Sequence, residues 1–359
     1  ADYLSVEMVQ DEVLGRVPSP RTRASGFDEW GFRNPGVPKT TDIVALGDSH
    51  TYGNTATMDD SWPYVLGRLT GRSVYNMGLG GYGPNQYFHL MKSRALSLKP
   101  RLIICGLYMG DDFENAFLLT YGLDHWAYLR ELPAPRVNSD IWEAPPSPTW
   151  HKKIRVWLSR HSIVYQLVFH GSFVGRLKGQ VQIENAGQLY DSTVTLIVPG
   201  ENISEAFLPD SILHRLDQDN QSVREGMRIT FKLLEEMNEI CRQNNIQFLV
   251  AVIPTKEMVF SAYLEHNSSL PLSDVLDKLV ANEGLARERT FKVLNDLVIS
   301  YVDTLPALTR SVEHELYARS ATDMHPSKNG YRVIGEAVFE VLKQGRPNLD
   351  PKFFSPPRG

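Results

Sequence analysis

Cysteine is nearly missing: Cys105 and Cys241 are the two in 359 residues, and they form no metal or redox motif. Cys105 sits in an apolar strand-like run and Cys241 on a helical segment, so both read as small buried residues. So few thiols do not specify a redox compartment. No run of 18 or more apolar residues occurs, so no segment of this sequence is a candidate bilayer-spanning helix. Positive charge is not in surplus either. There are 37 Lys and Arg against 42 Asp and Glu, a net charge of −5, and no dense basic tract, which argues against nucleic acid as a partner. Internal repeats and low-complexity tracts are also absent. What remains is ordinary for a globular protein, with 42% hydrophobic and 22% charged residues, and long enough for a sizeable core. The sequence opens on Ala1 rather than Met, so a leader or membrane anchor preceding it is an expectation.

Residues 1–40, rich in Pro, Gly and Arg, show no sustained period and read as an arm draped over a domain spanning 41–345, with 346–359 as a tail. Within the domain, short apolar runs alternate with helical periodicity, which predicts α/β architecture with a parallel sheet. The runs are Ile43–Leu46, Val74–Met77, Leu102–Leu107, Phe248–Ile253 and Val298–Val302. Three- and four-residue apolar spacing predicts helices through Tyr87–Leu98, Val223–Cys241 and Tyr331–Leu342, the last capped near Pro326-Ser327 and stopped at Gly345. The expectation is a three-layer α/β/α sandwich around five parallel strands in 2-1-3-4-5 order. About 140 residues separate the third and fourth strands, too many for one crossover. Residues 113–220 are therefore expected to be an insertion: a Pro-rich piece from Pro133 to Pro148, an amphipathic helix over 154–177 and a strand pair over 181–198. It is expected to form a lid or wall over the C-terminal edge of the sheet.

Gly47-Asp48-Ser49 follows the first run directly. A serine at the C-terminal end of a buried strand, where a turn opens a helix, projects its hydroxyl into a cleft. Serine becomes a useful nucleophile once a base takes its proton, and histidine suits that task near neutrality. Asp323-Met324-His325-Pro326 offers such a base, with a carboxylate that could orient it if the loop folds back. Taken singly, Ser49 also reads as a helix N-cap and His325 as a capping or surface histidine. After the second run comes Asn76-Met77-Gly78-Leu79-Gly80-Gly81-Tyr82-Gly83. Its glycines allow a sharp turn with an exposed N–H, as an oxyanion hole requires. The same stretch formally matches a dinucleotide fingerprint. That reading fails because the match follows the second strand, Pro84 closes it, and no acidic residue stands near position 103. After the third run comes Gly106-Leu107-Tyr108-Met109-Gly110-Asp111-Asp112, then Asn115. Asp48, Asp111, Asp112, Asp323 and His325 could converge on a metal, but no ligand-spacing motif supports one, and no cofactor is expected. Asp112 and Asp303 read as caps or turn formers.

In order and placement these four segments resemble the SGNH (GDSL-type) hydrolases: Gly-Asp-Ser, Asn-x-Gly-x-x-Gly and Gly-Asn-Asp after strands one to three, and Asp-x-x-His before the last helix. The resemblance spans about 40–125 and 245–345. It implies Ser49 as nucleophile, His325 as general base and Asp323 as its orienting carboxylate. The N–H groups of Ser49 and Gly81 would face the oxyanion, and Asp48 would brace the turn. Two departures stand out. Asp111 occupies the position of the family's oxyanion Asn, where an ionised carboxylate would repel rather than donate unless it is protonated, turned away, or relieved by Asn115 or another donor. The Asp-x-His spacing is similar to that of alginate-type polysaccharide O-acetyltransferases, as are Ile253-Pro254-Thr255-Lys256-Glu257 and the Asp48-Ser49-His50 order. Lys256 could touch substrate, or form a salt bridge or cap. His50 could line the cleft or pack beneath the insertion. The implied function is a serine-dependent esterase or O-acyltransferase acting on an acylated small molecule or carbohydrate. The alternative is a non-catalytic polysaccharide-binding or assembly protein whose oxyanion hole is impaired. By analogy alone, the setting would be periplasmic or extracytoplasmic, with membrane or polysaccharide-assembly association through a segment outside this sequence.

Overall fold

The computed structural model describes residues 7–20, 27–133, 194–198, 203–207, 209–267, 274–318 and 323–345. The chain begins with an antiparallel hairpin of β1 (Met8–Asp11) and β2 (Gly15–Pro18). The sheet strands follow: β3 (Ile43–Gly47), β4 (Val74–Gly78), β5 (Leu102–Tyr108) and, beyond a second hairpin of β6 (Val194–Val198) and β7 (Ile203–Phe207), β8 (Gln247–Ile253) and β9 (Ser300–Asp303). The five sheet strands are all parallel, in the order β4-β3-β5-β8-β9, which is the expected 2-1-3-4-5 arrangement.

Alternation along the strands divides the core into two. Val44, Leu46, Ile103, Cys105, Leu107, Val250 and Val252 face one side. They pack on α3 (Pro84–Ser93), α4 (Asp112–Gly122) and α6 (Gln221–Gln243), whose Met227, Leu234, Met237 and Cys241 recur at helical spacing. Ile43, Ala45, Leu102, Ile104, Leu249, Ala251 and Ile253 face the other side. There they meet α2 (Trp62–Thr70), α7 (Lys256–Asn267) and α10 (Lys328–Gln344), through Trp62, Leu66, Phe260, Ile334 and Val338. Near-continuous apolar strands buried on both faces are what a parallel sheet covered by helices demands.

Three sequence expectations shift. The last strand begins at Ser300 rather than Val298, because Val298 is exposed and holds a positive φ of 53° in the turn that follows α8 (Asp274–Asp296). The helix expected through Leu98 stops at Ser93, and a 3-10 turn, Ala95–Leu98, follows. The expected arm is partly regular: its hairpin buries Met8 and Leu14 in the core.

Part of the segment 113–220 joins the core on one face of the sheet. Its α4 packs on α6, and Phe113, Phe117, Leu119 and Trp126 are buried in the core. Of the strand pair expected over 181–198, residues 194–198 form β6, which pairs with β7 in the register Val194↔Phe207 to Val198↔Ile203; residues 181–193 lie outside the described residues. Residues 134–193, with the expected helix over 154–177, lie outside the described residues, as does the tail 346–359.

The end of β4 presses on the turn after β3. A Cβ at Gly78 would stand 2.3 Å from the backbone nitrogen of Tyr52 and 2.6 Å from the carbonyl carbon of Thr51. Backbone cannot swing aside as a side-chain tip can. Gly78→Ala is expected to cost roughly 1–3 kcal/mol of stability, read as a lower urea midpoint. An unchanged midpoint would show that the two segments separate freely.

Candidate active site

Ser49 opens α1 (Ser49–Tyr52), a single turn set on the C-terminal end of β3. Asp48 caps it, its Oδ1 accepting from the backbone N–H of His50 at 2.9 Å. Gly47 is required just before: a Cβ there would stand 2.0 Å from Thr51 Oγ1. Gly53 then ends the turn with φ 82°. The strand-to-turn geometry holds Ser49 at the sheet's C-terminal edge, 9% exposed.

The other half comes from the far end of the chain. The loop before α10 is pinned from several sides. Pro326 bridges Tyr317, Thr55 Oγ1 donates to Pro326 O at 2.6 Å, and Ser327 N donates to Leu316 O at 2.7 Å. Ser327 caps α10 by accepting from Asn329 N. Held this way, His325 points Nε2 at Ser49 Oγ across 2.7 Å, although the residues are 276 positions apart. Its Nδ1 lies 2.6 Å from Asp323 Oδ1, which also accepts from the His325 backbone N–H at 3.0 Å. The loop thus folds back as an Asp-x-His spacing requires. Burial pushes the Asp323 carboxyl up, but the hydrogen bonds and charge of His325, with Lys256 behind, more than reverse this, and it stays below the usual carboxylate range.

Around this line of three lies a dense polar group. Asp48, Asp111 and Asp112 each offer an oxygen within 4.8 Å of the others. Asp112 is fully buried and committed: Tyr87 Oη donates to it at 2.7 Å and the backbone of Tyr108 at 2.9 Å. Asp48 Oδ2 lies 3.1 Å from His50 Nδ1. Asp111, half-buried at the start of α4, has an Oδ1 shut away from solvent with no hydrogen-bond partner among the described residues. Burial, then the negative charge of Asp48, pushes its carboxyl up to about 7, against the pull of His50 and Arg215. Burial and the two neighbouring carboxylates hold Asp112 well above its ordinary value. Crowded like charges favour keeping protons over ionising together. The carboxylates of this group that could face a metal are largely spoken for by tyrosines, backbone and His50, and Asp323 and His325 stand outside it.

His50 is buried beneath the site, its ring stacked on Tyr108 at 3.7 Å and 4.9 Å from the ring of His325. Lys256 is also buried; its ammonium donates to the carbonyl oxygen of Asp323 at 3.5 Å and lies over the ring of Phe207. Asn115 stands one helical turn beyond Asp111, with its Nδ2 buried and without a hydrogen-bond partner among the described residues. Gly81 has φ 72°, a left-handed conformation that favours glycine. Asp303 caps the turn after β9, accepting from Leu305 N at 2.9 Å and pairing with Arg287.

One residue had no signal in the sequence. Arg16, on the hairpin strand β2, brings Nη2 to 2.1 Å from where a Cβ on Gly81 would stand. Nothing in a Pro- and Arg-rich arm marks one arginine over another. A groove of about 760 Å³, lined by Lys92, Lys232, Glu239 and Arg242, lies at the opposite end of β8 and touches none of these residues.

No family model matches the chain, and no curated protein does either. Among solved structures, it is similar to a protein described as lipolytic and of the G-D-S-L family from Desulfitobacterium hafniense DCB-2, at 17% identity and TM-score 0.39, over 83% of this chain and 98% of that one. A member of the lipolytic protein G-D-S-L family from Veillonella parvula DSM 2008 matches at 10% identity and TM-score 0.38, over 85% and 99%. A catalytic mutant of Axe2, an acetylxylan esterase from Geobacillus stearothermophilus, matches at 9% identity and TM-score 0.39, over 85% and 94%. Likeness at these identities and scores does not carry an activity from one protein to another.

Proposed function

We propose that this chain is a serine-dependent acyl-ester enzyme, with Ser49 as nucleophile, His325 as general base and Asp323 as the carboxylate that orients it. One observation supports this above the rest: an unbroken line from Asp323 Oδ1 through both ring nitrogens of His325 to Ser49 Oγ, with spacings of 2.6 and 2.7 Å. Both lie within proton-transfer reach. Asp323 accepts from Nδ1–H, which leaves Nε2 bare to take the serine proton. Ser49 Oγ then bonds to the ester carbon, and the carbonyl π pair moves onto oxygen. The Ser49 proton passes to Nε2. When the tetrahedral intermediate collapses, the bond to the leaving oxygen breaks and that oxygen takes the proton from Nε2. Water, or a hydroxyl acceptor, repeats the cycle on the acyl-enzyme with His325 as base again.

A finer reading has the acceptor as a carbohydrate hydroxyl and the acyl group as acetyl. Its support is the similarity of the Asp-x-His spacing and of residues 253–257 to polysaccharide O-acetyltransferases. A second reading, a non-catalytic binding protein of the same fold, draws on Asp111, a carboxyl where the resemblance expects an amide donor. A fluorophosphonate probe separates the two without knowledge of the substrate. The expected result is stoichiometric labelling at Ser49, located by peptide mass, and no labelling of Ser49→Ala. An unlabelled Ser49 in the folded protein would leave the binding reading standing.

A further inference from the structure

We propose that Arg16 is a further catalytic residue: its guanidinium donates to the acyl oxyanion formed at Ser49, adding a positive charge to a carboxylate-rich pocket. This rests on the acyl-ester reading above. The need comes from Asp48, Asp111 and Asp112, whose oxygens crowd within 4.8 Å of one another at the strand ends beside Ser49. An alkoxide forming among carboxyl groups requires a compensating donor, and Asp111 takes the place where an amide would serve.

Arg16 is built to fill that need. The hairpin carrying it is tied to the body at three successive points. Trp126 Nε1 donates to Val13 O at 2.8 Å, Gln86 Nε2 to Leu14 O at 3.2 Å and Tyr82 Oη to Arg16 O at 2.8 Å. Asp11 Oδ1 closes the hairpin turn by accepting from Val13 N and Leu14 N. Two of the tying residues, Tyr82 and Gln86, belong to the segment that carries Gly81 or follows it directly, so hairpin and oxyanion loop are fixed to each other. The guanidinium occupies the space a side chain at position 81 would take, with Nη2 at 2.1 Å and Cζ at 3.3 Å from that Cβ position. That loop also touches the nucleophile's turn, since Leu79 N donates to Gly47 O at 3.1 Å.

The Arg16 Nε is shut from solvent without a hydrogen-bond partner among the described residues. A guanidinium cannot shed its proton, so its charge stays whatever the carboxyl groups do. It donates hydrogen bonds only; every proton transferred still passes through His325.

The test compares Arg16→Ala and Arg16→Lys with the unaltered full chain, using p-nitrophenyl acetate. Arg16→Ala is expected to lower kcat by roughly 10²–10³-fold, the usual loss of one oxyanion donor, with KM moved less than about threefold. Arg16→Lys keeps the stem and charge but not the fork, so an intermediate loss is expected. Free guanidinium ion at millimolar concentration should restore part of the Arg16→Ala rate, which a purely structural arginine would not allow. A kcat within about twofold of the unaltered value, or a loss confined to KM, would overturn the proposal. A loss without guanidinium rescue and with a lowered Tm in both variants would do so too. Failure of the wider reading looks different. The unaltered protein would then show neither turnover nor labelling at Ser49, and both inferences would fall together.

Discussion

His325→Ala is expected to lower kcat for p-nitrophenyl acetate by roughly 10⁴–10⁶-fold, and Ser49→Ala by a similar factor. The two side chains meet at 2.7 Å, and in the proposed mechanism they handle the same proton and act as one unit. The Ser49→Ala/His325→Ala double variant is therefore expected to be no slower than either single variant. Asp323→Asn tests the third member. An amide at that position could donate to Nδ1, turning the ring's proton toward Ser49 and disabling the base, so a loss of about 10⁴-fold is expected. The neighbouring Lys256 hydrogen bond runs to the backbone oxygen of residue 323, so it survives the exchange and the loop keeps its position. Stopped-flow measurement of nitrophenolate release reads all four variants. Losses below tenfold, or additive losses in the double variant, would mean that the line of hydrogen bonds does no proton transfer.

The architecture was legible because hydrophobic patterning acts over short distances. The central strands β3, β5 and β8 are apolar runs bounded by turn residues, and Met227, Leu234, Met237 and Cys241 repeat at helical spacing along α6. Boundaries were less legible where backbone conformation overrode composition. Val298 looks like strand but holds φ 53° in a turn, and Arg94, with φ −137° and ψ −54°, breaks a periodicity that Ala95 and Leu98 continue. The segment after β5 was legible only in outline for a related reason. Its length pointed to an insertion, yet Phe113, Phe117 and Leu119 belong to the core that α6 also lines.

At the site, sequence order supplied the candidates and folding supplied the distances. Ser49 and His325 carried local signals, a strand end with a tight turn and a helix start, but only tertiary structure brings them within 2.7 Å. Buried charge was harder to foresee. That Asp48 meets the neighbouring Asp111 and Asp112 depends on two loops at the ends of the adjacent strands β3 and β5, a property of sheet order and not of spacing. Arg16 was invisible because its only mark is position: a hairpin tied to the loop of Gly81 by side-chain bonds to its backbone.

Asp111 gives the second large effect. Its carboxyl, pushed by burial and by Asp48 up to about 7, is neutral in acid and becomes an anion beside the site as pH rises. If turnover requires the neutral form, the unaltered protein loses activity above pH 7 for a reason Asp111→Asn removes. The ratio of variant to unaltered kcat/KM is therefore expected to be flat below pH 6 and to climb about tenfold per pH unit above 7. Taking the ratio cancels the titration of groups that the exchange leaves undisturbed.

The same shift fixes a trend in stability. The folded protein holds a proton that the unfolded chain releases near 3.8. That contribution is fully present below 3.8 and is lost as pH rises toward 7, so the stability of the unaltered protein falls across that window relative to Asp111→Asn. Urea midpoints at pH 4, 5.5, 7 and 8.5 should show the variant's advantage growing up to about pH 7 and constant beyond it. A ratio independent of pH, with midpoints that move in parallel, would mean that Asp111 is ionised throughout. The pocket would then have to bear a full negative charge where the reaction develops another.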